Sequence, residues 1–75
     1  MSLFAERIKQ LQTDRKTLKK DIAASIGVSV RAYQYYETST KEPTLSILIA
    51  LADFFDVSLD YLTGRSDNPN SHKLP

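Results

Sequence analysis

Cysteine is absent from the 75 residues, which excludes disulfides and thiolate-bound metals and makes a reducing compartment the natural setting. Long apolar runs are absent too. The longest, Ile47 to Ala52, falls far short of the ~20 residues that span a bilayer. Glu6 and Arg7 interrupt the N-terminus before a signal-peptide core can form, so the expected location is the cytoplasm, with no membrane partner. Histidine occurs once, at His72, with no plausible metal-ligand partner nearby. Asp53, Asp56 and Asp60 lack the spacing of a calcium loop. Catalytic activity, a cofactor and a bound metal are therefore not expected.

What remains is an ordinary globular composition, 41% hydrophobic and 25% charged, sufficient for one small domain. The net charge of +1 hides an uneven distribution. Residues 1–41 carry eight bases against four acids, a net +4, and residues 42–75 carry two against five, a net −3. A basic half suits a polyanionic partner on that side, although a solvated surface accounts for the same asymmetry.

Apolar periodicity and capping residues divide the chain into five short helices and no strand. Ser2 is placed to cap a first helix ending near Asp14, and Thr17 a second over about 18–25. Gly27 then supplies a left-handed turn, and Ser29 caps a third helix over about 30–38. Pro43 excludes helix through the 38–43 loop. Thr44 caps a fourth helix over about 45–55, and Ser58 a short fifth ending at Thr63 before Gly64. The domain is expected to span 1–65, with 66–75 a disordered tail.

Residues 19–38 carry the most specific pattern. Ala23 is small enough for close helix approach, Gly27 follows four residues later, and Ile22, Ile26, Val28, Tyr33 and Tyr36 share an inner face. This is a helix-turn-helix arrangement at about 18–38. Its outer face is where Lys19, Lys20, Ser29, Val30, Arg31, Ala32, Gln34 and Tyr35 fall.

The motifs ERIKQL, DIAASIGVS, YYE, EPTL and LADFFDVSLDYLTGRSD resemble those of the phage-repressor and Cro-type, or XRE-type, helix-turn-helix proteins over about residues 3–65. The resemblance implies an all-α, five-helix lambda-repressor-like fold. It also implies a bacterial or phage-encoded, nucleoid-associated regulator, typically a repressor, that binds palindromic duplex DNA as a homodimer. In such proteins the second paired helix enters the major groove while the first crosses the backbone. Lys19 and Lys20 then meet phosphate at a helix N-terminus. Ser29, Val30, Arg31 and Ala32 lead the recognition helix, with Arg31 suited to guanine O6 and N7. Tyr35 lies one turn on and Gln34 beside it. Thr38, Thr40 and Lys41 are placed for backbone contacts.

Three departures stand out. Gln12 occupies a position where relatives often pair an arginine with the counterpart of Glu37, so that tie is expected to be weakened or rebuilt. Ser39 replaces a common glycine. Thr17–Leu18 reverses the usual order of apolar residue and cap, which predicts an early start to the second helix. On the fourth helix, Leu45, Leu48, Leu51, Ala52 and Phe55 match buried positions, as do Val57 and Leu62 beyond it. Ile47, Ala50 and Phe54 form a second apolar stripe, expected with Leu59 and Tyr61 at a dimer interface, or else packed against the first helix or tail. A competing reading is a protein-interaction module, or an antitoxin-like component, with a second protein partner.

Overall fold

The computed structural model describes residues 3–70. Five helices follow in chain order: α1 (Leu3–Asp14), α2 (Lys19–Ile26), α3 (Val30–Glu37), α4 (Leu45–Phe55) and α5 (Leu59–Thr63). No strand occurs among the described residues. α2 packs on α3 and α4, while α1 packs on α3 and α5 and α4 meets α5. The core between them is built from Ile8 of α1, Ile22 of α2, Tyr33 of α3, Leu51 and Phe55 of α4 and Leu62 of α5, all essentially sealed from solvent. Each such side chain contributes about 1.5–3 kcal/mol relative to an exposed one.

Caps set the helix starts. The hydroxyls of Ser29, Thr44 and Ser58 accept from the N–H groups of Ala32 (3.1 Å), Ile47 (3.3 Å) and Tyr61 (3.0 Å). Ser2 lies outside the described residues. Thr17 does not cap α2. Its N–H closes the end of α1 on the Gln12 carbonyl at 3.1 Å, and its hydroxyl turns back to the Arg15 carbonyl at 3.4 Å. Leu18, with φ −82° and ψ 142°, becomes the N-cap without a side-chain acceptor, so α2 starts at Lys19 rather than early.

The helix ends share one device. Lys16, Gly27, Ser39, Asp56 and Gly64 each take a positive φ just beyond a helix, and the following N–H returns to a carbonyl in the last turn (Thr17 to Gln12, Val28 to Ala23, Thr40 to Tyr35, Val57 to Ala52, Arg65 to Asp60). α3 accordingly stops at Glu37, one residue before its expected end. Arg15 adds a cation to the C-terminus of α4 by donating to the Phe55 carbonyl at 2.7 Å.

Three expectations need correction. Leu45 is 67% exposed, because the core ends one turn short of the α4 N-terminus. Ile47, Ala50 and Phe54 are half-buried and rest on the core, so they do not form a free stripe; α4 is flanked by both α2 and α5. Residues 66–70, expected in the tail, are tied to the domain. Arg7 donates to the Ser66 carbonyl (2.6 Å) and the Asp67 carboxylate (2.9 Å), and the Ser58 N–H donates to the Pro69 carbonyl at 3.2 Å. Residues 71–75, including His72, lie outside the described residues.

Candidate nucleic-acid interface

α2 and α3 meet at a turn built by Gly27 and Ser29. Gly27 has φ +79°, and its N–H and that of Val28 return to Ala24 and Ala23. No atom lies within 4 Å of a Cβ placed on Gly27, so its requirement is conformational rather than steric. Ile22, Ala23, Ile26 and Tyr33 are buried, with Val28 and Tyr36 half-buried against them. The inner set read from the sequence is the packed set.

The opposite side is open. Lys20, Ser29, Val30, Arg31 and Gln34 are exposed, and Ala32 and Tyr35 are half-buried at its border. Ser29 uses a lone pair on the Ala32 N–H and keeps its own proton available to donate. The Arg31 guanidinium has no hydrogen-bond or ion-pair partner among the described residues, so all five of its N–H donors face solvent. At the start of α2, the absence of a side-chain cap leaves the Lys19 and Lys20 N–H groups without a protein acceptor among the described residues. Those groups point toward the solvent that an anion can replace.

A second cluster forms just past α3. The Thr38 hydroxyl donates to the Gln34 carbonyl at 3.1 Å and lies 2.7 Å from that of Thr40. The Thr40 and Lys41 N–H groups both return to the Tyr35 carbonyl, at 2.9 and 3.4 Å. The Lys41 ammonium sits 5.0 Å above the centre of the Tyr35 ring, within cation–π range. Tyr35, Thr38, Thr40 and Lys41 thus form one unit beside the outer face of α3.

Lys19 behaves differently from the other bases. Its ammonium forms an ion pair with the Glu37 carboxylate at 3.1 Å, and the Glu37 side chain is 7% exposed. The tie lost with Gln12 is therefore rebuilt from α2. Gln12 itself accepts from the Tyr33 hydroxyl at 3.3 Å. Burial, with a smaller contribution from the neighbouring Glu37 charge, pushes the Tyr33 phenol well above its ordinary value of 10.0. The Lys19–Glu37 pair was missed in the sequence, although a signal for it exists: Glu37 lies four residues after Tyr33 on the inner face, where a carboxylate needs a cation.

Of the residues assigned to a dimer contact, Leu59 is 37% exposed. Tyr61 is half-buried under the Arg7 guanidinium, 4.1 Å from its ring centre. Among the described residues, no cluster of three or more His, Cys, Asp or Glu side chains is placed to hold a metal ion, and no helix is long and apolar enough to cross a membrane.

Two short helices turned at a left-handed glycine, apolar where they face the core and polar outside, define a helix-turn-helix domain. The chain belongs to the helix-turn-helix family in its lambda-repressor-like form: the family's sequence profile matches residues 8–62. It is similar to the HTH-type transcriptional regulator YobD of Bacillus subtilis, 35% identical over 68 residues, which cover 91% of this chain and 61% of YobD. It is also similar to the cryptic phage CTXphi transcriptional repressor RstR of Vibrio cholerae, 31% identical over 96% of this chain and 65% of RstR. The chain thus spans less than two thirds of these relatives. Among solved structures, the P22 c2 repressor bound to synthetic operator 9T superposes with a TM-score of 0.80 at 30% identity, covering 88% of this chain and all of that one. A transcriptional regulator from Listeria innocua gives 0.79 at 31% identity, over 85% of this chain and 60% of its own.

Proposed function

We propose that this domain binds duplex DNA sequence-specifically and acts as a transcriptional repressor, with α3 in the major groove and the start of α2 on the phosphate backbone. The observation that carries this reading is Arg31: an exposed guanidinium, free of partners among the described residues, on the first turn of a helix fixed by Gly27 and Ser29. A planar fork held this way can bond O6 and N7 of one guanine. Support comes from the P22 c2 repressor, which shares the fold and was solved with operator DNA. The Tyr35–Lys41 unit and Lys20 supply contacts that hold the domain on the duplex without reading sequence.

A homodimer on a palindromic operator follows from the same reading, with two α3 helices about 34 Å apart and Leu59 of α5 at the contact. Such a protein works in the bacterial cytoplasm, at the nucleoid. The test is selection of bound duplexes from a random library. Enrichment of one palindrome, lost at one base pair per half-site on Arg31→Ala, is the expected result. Equal retention of all sequences by the wild-type protein overturns the proposal. Sedimentation of a monomer at millimolar concentration overturns the dimer.

A further inference from the structure

Glu37 is a buried carboxylate, 6% exposed, at the last position of α3. A charge taken from water to that degree requires a counter-charge or a full set of donors. Gln12 brings no charge, and its carbonyl oxygen is occupied by the Tyr33 hydroxyl. Lys19 is the cation that forms an ion pair with Glu37 among the described residues, at 3.1 Å, and its own side chain is 41% exposed. The pair joins the first residue of α2 to the last residue of α3. The Gly27 turn joins the other ends of the same two helices. Two fixed points determine the angle between two rods, where a turn alone leaves a hinge.

We propose that Lys19 is a positioning residue for the recognition helix. It sets the angle of α3 through Glu37, and the sequence-independent phosphate contact at this end of α2 falls to Lys20 and the open backbone N–H groups. The DNA-binding part of this inference rests on the reading of α3 given above; the structural part does not. Gln12 accepts from the hydroxyl of Tyr33, a buried neighbour of Glu37 on α3, and a cation placed at position 12 tests whether charge from α1 can replace Lys19.

The experiment uses Lys19→Gln, Lys20→Gln, Glu37→Gln, the double variants Lys19→Gln/Gln12→Arg and Lys19→Gln/Glu37→Gln, and the wild type. Thermal midpoints are measured for all six. Affinity for a mixed-sequence duplex is measured against salt for the wild type and the two single lysine variants. Lys19→Gln is expected to lower the midpoint by about 5–10 °C, with the salt slope kept. Gln12→Arg restores the midpoint, and in the Glu37→Gln background the same lysine change costs distinctly less. Lys20→Gln keeps the midpoint and reduces the slope by about 0.9. The inference is overturned if Lys19→Gln reduces the slope by that amount with the midpoint kept. It is equally overturned if its midpoint loss is the same in the wild-type and Glu37→Gln backgrounds. If the wild type binds no duplex, the DNA reading fails while the midpoints still decide the role of Lys19.

Discussion

The Arg7 guanidinium carbon sits over the Tyr61 ring, 4.1 Å from its centre, and the side chain ties α1 to the chain beyond α5. Its donors reach the Tyr61 and Ser66 carbonyls and the Asp67 carboxylate. Its side chain is 12% exposed whereas Asp67 stands fully in solvent, so the carbonyl bonds and the stacked ring carry the stabilisation. Arg7→Ala is expected to cost about 2 kcal/mol in urea unfolding, while Asp67→Asn leaves the midpoint where it was.

Gly27 and Ser39 take the same backbone region with different side chains, φ 79° and 61°. Gly27→Ala meets no steric obstacle and is expected to lose about 1–2 kcal/mol from left-handed strain alone. Ser39→Gly relieves that strain, in part offset by the freer unfolded chain, and gains about 0.5–1 kcal/mol. Paired denaturant curves for the two variants should move in opposite directions.

The raised phenol of Tyr33 predicts an alkaline limit. Below pH 10 both folded and unfolded chains hold the proton, and the stabilisation is fully present. Above pH 10 the unfolded chain releases it while the folded chain does not, so stability falls by up to about 1.4 kcal/mol per pH unit toward the folded value. Tyr33→Phe should remove this component, measured as the difference between the two proteins' stability profiles from pH 9 to 12.

Lys41 and Arg31 should separate affinity from selectivity. Lys41→Ala, which empties the site above the Tyr35 ring, is expected to weaken binding to every duplex and lower the salt slope by about 0.9. Arg31→Ala is expected to cost about 1–3 kcal/mol on the selected sequence while random duplex is held nearly as before. Fluorescence anisotropy on both duplexes at several salt concentrations distinguishes the two patterns.

Helix boundaries were legible where a local residue does the capping. Ser29, Thr44, Ser58, Gly27 and Gly64 each act within four residues of where they stand, and local chemistry is what a sequence displays. Thr17 misled because it belongs to the end of α1: its N–H returns to Gln12, its hydroxyl turns back to the Arg15 carbonyl, and Leu18 takes the N-cap position of α2. The outer face of α3 was legible from the 3.6-residue period. The clamp of Arg7 on Ser66 joins residues 59 apart in the chain, with nothing local to signal it. The exposure of Leu45 and the packing of Ile47, Ala50 and Phe54 depend on where the core stops, which no helical period reveals.

The buried pairing of Glu37 also bears on cooperativity. A partly detached α3 that kept its carboxylate buried but lost the ammonium would hold an unpaired charge at a cost of several kcal/mol. Intermediate dockings of α3 are thereby disfavoured, which favours cooperative packing of the α2–α3 pair. On the function proposed above, DNA would meet a preorganised face and little ordering entropy would be lost on binding.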